Sequence, residues 1–144
     1  MNFDKQVAAF AKKANTSIDK TMRGVSIKLF SAIIKSSPVD SGRFRANWMT
    51  SGSSPATEIN EGTDVSGASS TAAATNYVDG AMSSSVFTLS NNLPYAHSLE
   101  FGGYKPGNGA NTVGGFSKQA PTGVVRINAD RFQRILDEQA RLYK

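Results

Sequence analysis

The sequence predicts an α+β protein with a long N-terminal helix, a C-terminal helix, short strands between them and long loops. Apolar residues recur at helical spacing over the first 36 residues and again beyond residue 121. Two short segments, near residues 47–51 and 85–90, have the composition of strands. Stretches rich in Gly, Ser, Thr and Asn separate these elements. A chain of 144 residues is most simply one domain, residues 1–144.

The N-terminal helix is predicted over about residues 4–36. Gly24 and the cluster at residues 15–17 are weak points where it can bend, and Pro38 ends it by restricting Ser37. The apolar side chains of this helix form a stripe along one face. Such a stripe is typical of a helix packed on its own core, and a coiled-coil contact with a partner is the alternative. Its apolar residues step by three or four, as a 3.6-residue period requires: Phe3, Val7, Phe10, Ala14, Ile18, Met22, Val25, Leu29 and Ile33.

Residues 39–42 have the composition of a turn, in which Asp40 is placed to cap the next short turn. Phe44 and Trp48 lie four residues apart and are expected to anchor that turn on the core. A strand is predicted to follow over about residues 47–51.

Residues 51–76 are predicted to form an extended arm or loop that orders on a neighbouring subunit, with plain surface disorder as the alternative. One short helix is predicted from the spacing of Ala72, Tyr77, Val78 and Met82. Residues 85–90 are the strongest predicted strand.

Leu93 and Pro94 make a turn before a short helix over residues 95–101, which Gly102 ends. A Gly-rich loop over residues 103–118 follows. The C-terminal helix is predicted to begin near either Pro121 or Asp130. In the second case residues 124–127 form a strand, and Asp130 with Gln133 resembles a capping box.

Charge is strongly segregated along the chain. Residues 1–50 carry nine Lys or Arg and three acids, residues 51–100 carry five acids and no Lys or Arg, and residues 101–144 carry seven bases and three acids. A basic surface is typical of proteins that bind nucleic acid or an acidic partner, and opposite poles also suit contacts between copies of one chain. Scattered solvated charge is the alternative.

Composition argues against most catalytic and metal chemistry. The chain has no cysteine and a single histidine, His97, so a zinc site lacks its usual ligands. There is no Gly-x-Ser-x-Gly elbow, and the Gly-rich loop lacks the Gly-Lys-Ser/Thr ending of a phosphate loop. We expect no catalytic residue, no cofactor and no metal. Asp40 and Glu100 are expected to cap backbone or to meet Arg43 or Arg45.

No apolar run reaches the length of about 18 residues that a transmembrane helix needs, so none is predicted. The N-terminal residues lack the apolar region of a signal peptide. Together with the absence of cysteine, this composition favours a cytoplasmic origin.

Three phrases at wide separation resemble a known pattern: residues 37–48 (SPVDSGRFRANW), 92–103 (NLPYAHSLEFGG) and 119–126 (QAPTGVVR). In this order they are similar to the neck and tail-completion proteins of tailed bacteriophages. In that family a Pro-Val-Asp-Thr-Gly-Arg-Leu-Arg phrase precedes a Tyr-Ala-x-x-Leu-Glu-Tyr-Gly phrase and a C-terminal helix that begins at proline. This chain has Ser41 where Thr is common and Phe101 where Tyr is common.

The resemblance implies that both terminal helices pack on a small antiparallel sheet. It also implies a structural virion subunit without enzyme activity, which forms a homo-oligomeric ring, usually hexameric, at the neck or head–tail interface after assembly in the host cytoplasm. The implied partners are further copies of the chain and adjacent connector, portal-side or tail proteins. The resemblance further implies that DNA passes through the channel without sequence-specific binding and that no membrane is involved.

The residues that carry the resemblance are expected to be structural: Asp40, Gly42, Arg43, Arg45, Trp48, Pro94, Tyr95, Leu99, Glu100, Phe101, Gly102 and Pro121. The acids of the middle segment are candidates for the subunit interface: Glu58, Glu61 and Asp64. A basic nucleic-acid-binding module of phage origin is the main alternative, and it needs bases and aromatic residues on one face. A small hydrolase is a further alternative.

Overall fold

Six helices and two small antiparallel sheets make up the part of the chain that the structure describes. The computed structural model covers residues 2–104 and 111–144. The predicted α+β class is confirmed. In chain order the elements are α1 (Phe3–Ser36), α2 (Arg43–Ala46), β1 (Trp48–Ser51), α3 (Ala68–Gly80), β2 (Thr88–Asn91), α4 (Ala96–Phe101), β3 (Thr112–Val113), β4 (Phe116–Ser117), α5 (Val125–Ala129) and α6 (Phe132–Leu142).

The long helix α1 has the predicted bounds to within one residue. Its 34 residues span about 50 Å at a rise of 1.5 Å per residue. The side chain of Asn2 caps the helix start by accepting a hydrogen bond of 3.3 Å from the N–H of Asp4. Ser37 adopts an extended conformation before Pro38, and this ends the helix as predicted.

Gly24 marks the place where α6 packs against α1. The side chain of Gln139 on α6 is buried there, and a Cβ atom at position 24 would lie 3.0 Å from its Cδ. The helix continues without a break through Gly24 and through residues 15–17. Glycine at this position therefore permits a close approach of two helices, and packing overrides its low helix propensity.

Only the second half of the α1 stripe reaches the core. Val25, Phe30, Ile33 and Ile34 are buried there. The helices that pack on α1, which are α3, α5 and α6, leave much of the first half uncovered. The expectation that the whole stripe is an ordinary core face is therefore wrong for these exposed residues: Phe3, Val7, Phe10, Ile18 and Met22.

Strands β1 and β2 pair in antiparallel register, with Trp48 opposite Asn91 and Ser51 opposite Thr88. The first strand lies where the sequence predicts it. The second begins three residues later than the predicted 85–90. The reason is that β1 ends at Ser51 and offers no ladder partner to the residues before Thr88.

The predicted arm over residues 51–76 is shorter in the structure. Irregular backbone covers residues 52–67, and α3 begins at Ala68, four residues before the first alanine of the predicted helix. Ala74 and Val78 are fully buried and hold α3 against α1 and β1. Small alanine side chains allow this close packing and favour the helix.

Glycines shape the chain after α4. Gly102 ends α4 as predicted, with a φ of 78°. The predicted loop over residues 103–118 contains a short hairpin, β3–β4. Its turn residues Gly114 and Gly115 have φ values of 60° and 85°, which suit a two-residue hairpin turn. Residues 105–110 of the predicted loop lie outside the described residues.

The C-terminal helical region consists of two helices, α5 and α6, that start at Val125 and Phe132. The start of α6 lies two residues after Asp130, the second predicted position, and no helix starts at Pro121, the first. Pro121 precedes α5 and forms an isolated bridge with Gly123. The alternative of a strand over residues 124–127 is wrong, because these residues enter α5.

The predicted capping box at Asp130 is also wrong. Asp130 is the C-cap residue of α5, and Arg131 is the N-cap residue of α6, where its side chain makes no capping hydrogen bond. Gln133 donates instead to Asp137 at 3.0 Å, one turn further along α6. Within the described ranges, no helix has the combined length and hydropathy of a membrane span.

Candidate functional site

The three phrases that carry the resemblance meet at one place in the fold. Together with the end of α1 they form the main buried cluster, which consists of Ile33, Ile34, Phe44, Trp48, Leu93, Leu99, Ala120 and Val124. All of these residues except Ile33 and Ile34 belong to the phrases. The three phrases, although widely separated in sequence, therefore meet at one junction in the fold.

Polar side chains join the phrases to each other and to α1. The Gln119 amide pairs with the backbone of Val39: its Oε1 accepts from the N–H at 2.7 Å and its Nε2 donates to the carbonyl at 3.0 Å. The indole N–H of Trp48 donates to the buried Ser37 hydroxyl at 2.7 Å. Sequence reasoning passed over Gln119, although it stands in the third phrase.

Glu100 caps the first turn of α5. Its carboxylate accepts hydrogen bonds from the backbone N–H groups of Val124, Val125 and Arg126 at 2.7, 2.8 and 2.9 Å. The guanidinium of Arg126 lies 3.0 Å from the same carboxylate. A Cβ atom at Gly123 would lie 2.7 Å from the Glu100 carbonyl oxygen, so this position requires glycine.

This geometry lowers the pKa of Glu100. Partial burial acts to raise the pKa, but the hydrogen bonds from the three backbone N–H groups and from Arg126 favour the charged form and outweigh it. The prediction that Glu100 pairs with Arg43 or Arg45 is wrong, because its carboxylate binds the start of α5 and Arg126 instead. The residue before α5 is Val124, whose side chain cannot cap the free N–H groups of the helix start, and the carboxylate of Glu100 takes this role.

Arg45 binds three backbone carbonyls instead of a carboxylate. Its guanidinium donates to the carbonyl oxygens of Lys35, Ser37 and Val65 at 2.7, 3.1 and 2.7 Å. Two of these acceptors lie at the end of α1, where carbonyls lack helical partners. Arg45 therefore ties the end of α1 to the irregular segment before α3.

Asn47 is a structural residue that sequence reasoning missed. Its side chain is completely buried and makes two hydrogen bonds with the backbone of Asn60: Nδ2 donates to the carbonyl at 2.9 Å, and Oδ1 accepts from the N–H at 2.8 Å. Nδ2 also donates to the carbonyl of Arg43 at 2.8 Å. No pattern in the sequence pairs positions 47 and 60, because the contact depends on the path of the loop.

The predicted cap at Asp40 is wrong. Asp40 is exposed, and within residues 2–104 and 111–144 its carboxylate receives no hydrogen bond. The hydroxyl of Ser41 accepts from the N–H of Arg43 at 3.3 Å instead. Gly42 has a φ of 91°, and its carbonyl accepts from the N–H of Asp64 at 2.9 Å.

The remaining residues of the second phrase differ in exposure. Leu99 is buried in the cluster. Tyr95 is partly exposed, and its ring centroid lies 5.8 Å from that of Phe44. Phe101 is exposed, and the Arg126 guanidinium stacks on it 4.9 Å from the ring centroid. Pro94 is exposed at the turn before α4.

His97 and Glu100 line one small pocket of about 200 Å³. Both oxygens of Glu100 accept hydrogen bonds from α5, and the centroid of the His97 ring lies 4.8 Å from that of the Phe101 ring. Glu100 is thus committed to the helix start. In the described part of the chain no three His, Asp or Glu side chains are grouped as a metal would require.

The three interface candidates have different environments. Asp64 is already hydrogen-bonded within its own subunit, because its carboxylate accepts from the N–H of Ser70 in the first turn of α3 at 2.8 Å. Burial acts to raise the pKa of Asp64, but hydrogen bonds from Ser70 and its neighbours lower it overall. Glu61 is highly exposed and lies 3.5 Å from Arg43. Glu58 is exposed and forms no ion pair within the described ranges.

Two further surface features lie along residues 8–26 of α1. The first is an open cleft of about 1080 Å³ between α1 and residues 83–87, which we call the α1 cleft. Its apolar lining includes Ile18, Met22, Val86 and Phe87. It shares Ile18 and Met22 with the exposed stripe, so the cleft and the stripe form one continuous apolar surface.

The second feature is a groove between α1 and the end of α6, which we call the basic groove. Its charged lining residues are all lysines, and Tyr143 lies among them. The lysines are Lys12, Lys13, Lys20 and Lys144.

Comparison with models of protein families, with curated proteins and with solved structures finds no match to this chain.

Proposed function

We propose that this chain is a structural virion subunit of a tailed phage, a neck or tail-completion protein that forms a ring and joins head to tail around the DNA channel. The order of the three phrases and their convergence on one structural junction support this proposal. In this role the polar residues of the phrases hold the fold together, as Glu100 and Arg45 do, and they perform no chemistry.

The observation that carries the proposal is the exposed half of α1. Phe3 is 73 %, Phe10 74 % and Ile18 61 % exposed, although they continue the stripe that α1 buries in the core. Contiguous exposed apolar surface on a small protein marks a contact with another macromolecule. A subunit that completes its fold in an assembly accounts for this surface.

Charge segregation supports contacts between copies of the chain. Residues 5–20 of α1 carry four lysines, whereas Glu58 and Glu61 project from a segment that has no base. Such unlike surfaces join head to tail, and a head-to-tail contact closes into a ring when its rotation allows. A hexamer is the ring size that the resemblance implies.

Electron microscopy of virions made from the genome that encodes this chain tests the proposal. We expect a ring of this subunit at the neck or at the head-proximal end of the tail, in fixed copy number. Virions that lack the protein, or that contain it as a single copy, would contradict the proposal.

A nucleic-acid-binding module is the second candidate, and the basic groove favours it. Four lysines and Tyr143 line this groove without an acid among them, which is the combination that binds a phosphate backbone beside a stacking ring. Retention on immobilised DNA that falls steeply with salt, and that falls further in Lys13→Gln/Lys20→Gln, would favour this candidate. DNA retention equal to that of a neutral control protein would exclude it.

A further inference from the structure

The α1 cleft combines apolar walls with one cation that lacks an ion pair. Ile18, Met22 and Val86 are exposed along it. Two other charged groups in the lining, Asp19 and Arg23, form a salt bridge of 2.8 Å with each other. Lys12 also lines the cleft and has no acidic partner within residues 2–104 and 111–144.

Residues 56–66, which we call the acidic loop, have the complementary character. The loop exposes two acids, Glu58 and Glu61, and two aliphatic side chains, Ile59 and Val65, which are 42 % and 59 % exposed. The acidic loop therefore offers the two features that complement the cleft: negative charge to pair with Lys12 and aliphatic side chains to pack on the apolar walls.

The acidic loop is also fixed in shape by the body of the protein. The Asn92 amide donates to the carbonyls of Ala56 and Glu58 at 2.8 and 3.0 Å. Further along, Asn47 grips the backbone of Asn60. A loop held in this way loses little conformational freedom on docking, which favours binding.

We propose that the α1 cleft of one subunit binds the acidic loop of the next copy of this chain, with Ile59 in the apolar cleft and Glu58 facing Lys12. This inference rests on the proposed ring and names the contact that closes it. The contact is heterologous, since cleft and loop are different surfaces of the same chain, and each subunit uses both.

A charge exchange tests the pairing in the full chain. Lys12→Glu and Glu58→Lys should each raise the concentration needed for ring assembly at least about tenfold, and the chain carrying both changes should regain assembly. Lys118→Glu changes net charge by the same amount as Lys12→Glu, at an exposed site directly after β4, and should assemble as the unaltered chain does. Circular dichroism verifies that each variant is folded.

Disulfide trapping gives a second readout, because the chain has no cysteine of its own. Met22→Cys and Ile59→Cys variants, mixed and oxidised, should form the heterodimer, and neither variant alone should form a disulfide dimer. Met22→Cys homodimers would show that α1 pairs with α1 of another copy and would overturn the proposal.

The outcomes separate this inference from the proposed function. If the unaltered chain forms rings and Lys12→Glu or Glu58→Lys forms them equally well, the pairing is wrong and the ring stands. Failure of the double exchange to restore assembly in folded protein would likewise overturn the pairing. If the unaltered chain forms no ring at any concentration, both proposals fail.

Discussion

Single polar side chains fix the irregular parts of this protein. Glu100 satisfies three N–H groups at the start of α5, and Asn47 satisfies both backbone groups of Asn60. Buried backbone groups without partners are costly, so each of these residues decides whether a loop has one conformation. The sequence predicts Glu100 as structural from its phrase but misplaces its partner, and it gives no sign of Asn47. Both contacts depend on how distant segments approach each other, which no local pattern encodes.

Glu100→Ala should lower the free energy of unfolding by about 1–3 kcal/mol, because it leaves N–H groups of α5 without an acceptor. Urea denaturation measures the change. Glu61→Ala is the matched control: this exposed carboxylate makes one solvent-screened ion pair, so its loss should cost no more than about 0.5 kcal/mol. An unchanged urea midpoint in Glu100→Ala would contradict the role of Glu100 as the cap of α5.

The lowered pKa of Glu100 predicts a pH dependence of stability. Since the folded state holds the carboxylate in its charged form, this contribution is fully present above the ordinary carboxyl pKa of about 4.3 and is lost as pH falls below it. In Glu100→Gln, whose side chain does not titrate, the decline of stability towards acid pH should be shallower. Equal slopes in the two proteins would contradict the role of the charged carboxylate.

Asn47→Ala should lower the free energy of unfolding by about 2–3 kcal/mol, since it leaves the buried backbone groups of Asn60 unpaired. Hydrogen exchange at the amide of Asn60 should accelerate together with the loss of stability. Asn76→Ala, at an exposed position of α3, is the control and should leave both quantities unchanged. If exchange at Asn60 stays slow in the folded Asn47→Ala protein, another group holds the loop.

At the scale of elements, periodicity predicts where α1 forms but not which part of it is buried. The same three- and four-residue steps run through the exposed Phe10 and the buried Ile33. Burial depends on how far the other helices reach along α1, and the sequence pattern carries no such information. The two strands and α4 are predicted because turn residues bound them, whereas the break between α5 and α6 has no glycine or proline to mark it.

Gly24 tests the packing of α1 against α6. Gly24→Ala should destabilise the protein by about 1 kcal/mol, because the clash with buried Gln139 exceeds the gain in helix propensity. In a Gln139→Ala background the same change should instead stabilise it by up to about 1 kcal/mol. Thermal denaturation of the four proteins completes the cycle. Additive effects would show that the two residues do not meet as described.

For the whole molecule, the fold class follows from the sequence, whereas the convergence of the three phrases and the exposed apolar half of α1 emerge only from the structure. Charge segregation is visible in composition. Composition does not show which charges remain available for contacts with another chain. Asp64 and Glu100 accept hydrogen bonds within the fold, whereas Glu58 is exposed. The number of interface candidates in the acidic middle of the chain therefore falls from three to two.

Reversal of both remaining candidates, Glu58→Lys/Glu61→Lys, should impair ring formation and leave the fold intact. Both side chains are exposed, and salt screens charge contacts between exposed groups with a Debye length of about 8 Å at physiological ionic strength, so assembly of the unaltered chain should also weaken in high salt. Sedimentation velocity at two salt concentrations measures both effects. Normal assembly of the double variant would contradict a role for Glu58 and Glu61 in contacts between copies of the chain.

Native mass spectrometry of the purified full chain, with negative-stain images of the same sample, tests whether the chain forms a ring. We expect one closed oligomer, a hexamer, that appears as a ring with a central channel at raised protein concentration. A monomer at every concentration, together with no ring in the virion, would contradict this expectation.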